Sequence, residues 1–357
     1  MRWRNIVIVA AGLAGAAAWA GSAEPPKLDL RGHRGAVRQV AFQPGGKLLA
    51  SIGIEPSIRL WSLETGRQIR KLAPKSLIVE RGNAPTMMSR DEEAIAFSPD
   101  GKLLAEAAVE GRRGLIQLWD VDAGKPLRLV AGGAPNVRTV VFSPDGKLLA
   151  ANMRDGLRSD HKISLIDVKT GRETAALRGD RLAASLLAFS PDGKTLVSAG
   201  ARRIHIWDVP ARKLRHVIST HKKTILSLAF SPDGEHFASS DADENIRIWN
   251  AATGKLDREI EHEQEAVRAL AYSPSGRTLA SAGDNTTVKL WNPKNGKLRD
   301  TLWGHSEAVT TVAFQPDGSL LASGSRDGSI EVWAFSEPDD TGDESASEEN
   351  KSGDGDN

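Results

Sequence analysis

The nine-residue string Phe-Ser-Pro-Asp-Gly-Lys-Leu-Leu-Ala occurs unchanged at 97–105 and 142–150. Variants begin at Phe42, Phe189, Phe230, Tyr272 and Phe314, making seven copies at intervals of 55, 45, 47, 41, 42 and 42 residues. This recurrence constrains the fold more than any composition does. A unit of this size cannot bury both faces of its own sheet and must stack on its neighbours.

Each copy is followed by an alternating apolar segment that ends in tryptophan. Six of these are Ile58–Trp61, Ile116–Trp119, Ile204–Trp207, Ile246–Trp249, Val288–Trp291 and Ile330–Trp333; the third copy ends instead on Ile166. A two-residue period is that of a half-buried strand. Every unit therefore predicts four short strands, in the first unit Val37–Phe42, Leu48–Ile52, Ile58–Trp61 and Gln68–Leu72. Pro-Asp-Gly makes the turn between the first two, with proline presetting φ and glycine taking the left-handed position. The Asp-Gly pairs are not calcium loops, since the further acids at the spacing calcium needs are missing.

Trp119-Asp120, Trp207-Asp208, Gly32-His33, Gly304-His305 and a period near 42 resemble the WD-repeat (WD40-type) β-propeller family over about Lys27–Phe335. The resemblance implies an all-β, single seven-bladed β-propeller of four-stranded antiparallel blades. Lys27-Leu-Asp-Leu resembles the outer strand that opens at Lys297, while the seventh unit stops after three strands. An N-terminal strand joining the last blade is therefore expected to close the ring and cover its open edge. The resemblance also implies a structural relay of histidine, serine, aspartate and tryptophan. His221, Ser239, Asp243 and Trp249 supply it in blade five; His305, Ser323, Asp327 and Trp333 supply it in blade seven. Blade one has His33, Ser51 and Trp61 with Glu55 for the aspartate. Blade six has Ser281 and Trp291 with Glu263 and Asn285 in the other two places, and blades two, three and four lack the set. A repeated, tryptophan-linked relay satisfies buried polar groups and is not a hydrolase triad.

The chain has 357 residues, 26% of them charged, and a net charge of +1 that hides a split. Residues 337–357 hold nine acids and one lysine and read as a disordered acidic tail. Without them and the leader the body stands at +7, too mildly basic for a dedicated nucleic-acid binder. Residues 1–23 combine Arg2 and Arg4 with an apolar run and small residues at Ala18–Ala20 and Gly21–Ala23, the pattern of a signal peptide. The expectation is an exported chain, periplasmic or secreted, with residues 24–336 as the propeller. The rival is a membrane anchor through residues 6–23. There is no cysteine, so disulfides and thiolate chemistry are excluded.

No catalytic residue, metal ligand set or cofactor motif is expected. The eight histidines form no short ligand spacing, and no phosphate-binding Gly-rich loop occurs. The departures from regularity point to one face. Leu72 to Phe97 is 25 residues where the other units have 12, which places an insertion within 73–93. The connections Glu106–Gly114 and Ala151–Lys162 are also long. Arg81, Met87, Met88, Arg90, Arg112, Arg113, Arg154 and Arg158 lie in these stretches, joined by Arg202 and Arg203 in blade four. Arginine suits protein interfaces, and methionine supplies adaptable apolar contact. The reading is a monomeric, non-catalytic protein-interaction scaffold binding protein partners through blades two to four. Its alternatives are an exported propeller enzyme, lactonase-like or sugar-processing, and a polyanion-binding module.

Overall fold

The computed structural model describes residues 27–55, 57–73, 94–110, 113–130, 137–155, 160–179, 184–262 and 265–338. Within them all regular structure is strand, arranged as seven sheets of four. Six sheets run in chain order. Their inner strands are Val37–Phe42, Ala94–Phe97, Val137–Phe142, Leu186–Phe189, Ile225–Phe230 and Val267–Tyr272. The seventh is built from both ends of the chain. Leu28–Arg31 lies beside Ser329–Ala334, followed by Leu320–Ser325 and the inner strand Val309–Phe314. Leu28 pairs with Val332, Leu30 with Ile330 and Arg31 with Ser329, all antiparallel.

The repeated string makes the turn its chemistry dictates. In blade two Gly101 has φ of 70°, and its N–H donates to Ser98 O at 2.8 Å. That backbone is strained for any residue with a side chain. The Ser98 hydroxyl donates to Asp100 at 2.6 Å, and Asp100 also accepts the Lys102 N–H at 3.1 Å. These bonds hold the Asp100 carboxyl below its ordinary range.

The core sits between blades. Leu30, Ile330 and Val332 of the closing blade pack with Val37, Leu49 and Trp61 of blade one, and Ile204, Ile206 and Ile218 of blade four pack with Phe237 and Trp249 of blade five. Side chains also stitch inner strands to one another. The Gln39 amide donates to Ile95 O and accepts the Ile95 N–H, both at 2.9 Å. Thr311 Oγ1 accepts the Val40 N–H at 3.2 Å, and Ser227 Oγ accepts the Leu270 N–H at 3.0 Å.

Strand alternation sends the outer-to-inner connections and the second-to-third connections to one face, termed the upper face. The Pro-Asp-Gly turns lie on the lower face. The long connections expected in blades two and three are mostly strand. Leu103–Glu110 pairs with Arg113–Asp120 as far as Glu110 with Arg113, and Leu148–Asp155 pairs with Asp160–Asp167 as far as Asp155 with Asp160. Both are eight-residue strands where the second strands of the other blades have five or six. The extra residues extend the ladder as hairpins above adjacent blades instead of forming loops.

Candidate functional site

The polar constellations the sequence singles out are buried inside the blades. In blade five Trp249 Nε1 donates to Ser239 Oγ at 2.7 Å, and Ser239 Oγ lies 2.9 Å from His221 Nε2. Since the hydroxyl accepts from the indole, its own proton is directed at Nε2, which leaves Nδ1–H to the acid. That acid is Asp241, at 2.7 Å, and not the expected Asp243. Asp241 ends the strand beside His221, whereas Asp243 is gripped by Arg247 at 2.7 Å across one turn. Burial, then Arg247, push His221 down to about 4, while burial pushes Asp241 up to about 7.

Blade seven builds a longer chain. Trp333 Nε1 donates to Ser323 Oγ at 3.3 Å, and Ser323 lies 2.7 Å from His305 Nε2. His305 Nδ1 meets Ser329 Oγ at 3.0 Å, and Ser329 donates to Asp327 at 2.5 Å. Asp327 thus closes the relay chiefly through a serine; its nearest direct approach to His305 is 3.4 Å. In blade one Glu55 takes the acid's place, 2.8 Å from His33 Nδ1, with Ser51 joining His33 to Trp61. Blade six corrects the expected position of its base. His262, one residue before Glu263, lies 2.9 Å from Ser281 Oγ, which accepts from Trp291 at 2.7 Å. An imidazole spans the one-residue offset. In blade two Glu106 receives the Trp119 N–H at 2.9 Å, and in blade four Ser198 receives that of Trp207 at 2.8 Å.

A cavity of about 400 Å³ lies in the central channel against the inner strands of blades one to five. Among the described residues on its wall, Arg138 is charged and Gln39, Thr139, Ser185 and Ser227 are polar. On the lower face of blade five, ligand atoms of Asp233, Glu235 and His236 lie within 4.8 Å of one another. Asp233 and Glu235 are exposed and His236 is half-buried beside Asp257, and Asp233 is already engaged by the Ser231 hydroxyl and the Glu235 N–H in its turn.

Arg202 and Arg203 are exposed on the upper face of blade four. Arg113 and Arg154 fall in the extended hairpins of blades two and three. Arg81, Met87, Met88, Arg90, Arg112 and Arg158 lie outside the described residues, as does the segment 1–23. Within the described residues no helix is long and apolar enough to cross a membrane. Glu337, where the acidic tail begins, accepts the Ser275 and Thr278 hydroxyls at 2.5 and 3.0 Å. It therefore leaves from the lower face of blade six, opposite the extended hairpins.

Seven four-stranded blades, six of them with a tryptophan closing the third-strand motif, define a WD-type propeller. The WD domain, G-beta repeat, matches residues 25–62, 179–208, 212–250, 254–292 and 296–334, more than half of the chain, and the chain belongs to this WD40 family. The unmatched stretch holds blades two and three, where Glu106 and Ile166 replace the usual serine and tryptophan. The chain is 26% identical to Nuclear distribution protein PAC1-2 of Uncinocarpus reesii, over 61% of this chain and 60% of that protein. It is 27% identical to Transcription initiation factor TFIID subunit 5 of Caenorhabditis elegans, over 60% and 30%. It is 32% identical to Periodic tryptophan protein 2 homolog of Schizosaccharomyces pombe, over 29% and 10%. The matches thus span no more than about three fifths of these relatives' length.

Proposed function

We propose that this chain is a non-catalytic scaffold that binds protein partners on the upper face of blades two to four. One observation carries the reading: the serine of each His–Ser–acid set is buried and occupied by a tryptophan N–H. A hydroxyl in that position cannot attack a substrate, so the groups that look most like catalysis stabilise blades. Membership of the WD40 family supports the same conclusion.

The binding face follows from the departures from symmetry. Hairpins that overshoot their sheets stand on adjacent blades and carry Arg113 and Arg154, and the same face of blade four, next in the ring, carries Arg202 and Arg203. Arginine suits a protein interface through its planar set of donors, and backbone already held in paired strands loses little freedom on binding. We also place the protein outside the cytoplasm, by export through residues 1–23.

Charge reversal of Arg112, Arg113, Arg154 and Arg158 tests the binding face. Co-purification of native partners should fall at least tenfold with the fold unchanged by circular dichroism. Unchanged recovery would remove the upper face from the proposal. Export is tested by fractionation and the mass of the isolated chain, expected to lack about the first 20–23 residues.

A further inference from the structure

The closing blade places two acids across its seam. The residue that pairs with the relay-serine position is Arg59, Gln117, Ser164, His205, Arg247 and Lys289 in the first six blades, and Glu331 in the seventh. On its other side Glu331 pairs with Asp29 of the N-terminal strand, whereas Arg247 pairs with Glu259 in blade five. Opposed carboxylates at this register destabilise a sheet.

Glu331 is 5% exposed, and its Oε2 is buried with no hydrogen-bond partner. His305 Nε2 is 3.7 Å from that oxygen and is already committed to Ser323 at 2.7 Å. A Cβ built on Gly304 would stand 2.3 Å from the carboxyl, so the incoming loop packs its backbone against it. The charged and titratable groups facing Glu331 are Asp29 and Arg31 on the N-terminal strand, Asp327 on the turn and His305 on the loop. Arg31 is spent on Asp29 at 2.7 Å, with its side chain 73% exposed.

We propose that ring closure is a pH-dependent latch: protonated Glu331 lets Leu28–Arg31 seat against Ser329–Ala334, and its ionisation opposite Asp29 weakens that seam. Burial, then Asp29 and Asp327, push the Glu331 carboxyl up to about 7 against the pull of Arg31. With the strand detached the carboxyl meets water and returns toward its ordinary value near 4.5. Below that value both forms hold the proton and closure is tightest. Between there and about pH 7 the open form ionises while the closed form keeps its proton, so closure weakens by up to about tenfold per pH unit. Above pH 7 both forms are ionised and the loss is complete. Acid tightens the ring, and neutrality loosens the strand that carries the N-terminal segment.

Hydrogen exchange of the full chain at pH 5 to 8, corrected for intrinsic rates, tests this. Protection at Leu28–Arg31 should fall at least about tenfold between pH 5 and 7.5, and more than at Arg203–Asp208 of blade four. The E331Q variant should remove that excess. The same excess in E331Q as in the natural chain, or no excess in the natural chain, would overturn the latch. If E331Q does not fold, D29N removes the opposing acid and should raise protection at pH 7.5 several-fold; an unchanged value there would equally overturn it.

Discussion

Trp119 Nε1 donates to Glu106 Oε2 at 2.9 Å, with both side chains buried and the indole packed with Ile52, Ile58 and Leu60 of blade one. The carboxylate stands at the position where blades one, four, five, six and seven hold serine. Replacing Glu106 by alanine strands the indole N–H and should cost about 1–3 kcal/mol. Glu106→Ser restores an acceptor of the kind used elsewhere and should recover much of that loss. Urea midpoints of the two variants check this, and equal losses would mean the carboxylate is held for another reason.

In blade five the acid that matters to the relay is Asp241. Asp241→Ala leaves His221 Nδ1 without its acceptor and removes a partner of Arg247. A loss of about 3 kcal/mol is expected for breaking such a buried network. Asp243→Ala leaves Arg247 with Asp241 and with Glu259 at 2.8 Å, so it should cost less. Thermal melting of both variants decides, and the reverse order would return the role to Asp243.

The architecture was legible because the repeated string has one physical use. A serine that caps an aspartate turn, followed by a glycine at positive φ, recurs at Ser98, Ser143, Ser190 and Ser231. The closing strand was legible for the same reason, since residues 27–30 copy an outer strand. The details of the relays were not. Asp241 and Asp243 flank one turn, and side-chain reach selects between them, which spacing does not encode. His262 does the work from one residue earlier than its counterparts, directly after the strand Leu256–Glu261, where no ladder pairing fixes its register. The long segments of blades two and three read as loops because Ala107, Ala108 and Val109 lack the polar alternation of a half-buried strand, yet they pair as extended hairpins. Of the binding face, only Arg202 and Arg203 have described side chains.

The closing blade should also show an acid limb distinct from its latch. Burial raises the Asp327 carboxyl, but the Ser329 hydroxyl and the N–H groups of Ser329 and Ser306 outweigh this and draw it down to about 2. A carboxyl depressed in the folded state stabilises above its ordinary value near 3.8, and that stability is lost as pH falls toward 2. The contribution is about 2 kcal/mol. Unfolding midpoints of the natural chain and Asp327→Asn should therefore diverge at pH 5 and converge near pH 2. Parallel curves across that range would show that Asp327 is not held as described.

Gln39 acts as a length of strand between blades one and two, giving one bond to Ile95 O and taking one from Ile95 N. An amide can do both, and a carboxylate can only accept. Gln39→Glu at neutral pH should thus set a charged oxygen against the Ile95 carbonyl at the channel wall. It should cost more than Gln39→Ala, by roughly 1–2 kcal/mol beyond the two lost bonds. Protonation of the new carboxyl restores a donor, so the deficit should shrink below about pH 5. The alanine variant has no group to titrate there and should keep its own deficit. Melting temperatures of the two variants between pH 4 and 8 measure the crossover; its absence would mean that water in the channel, and not the side chain, satisfies Ile95.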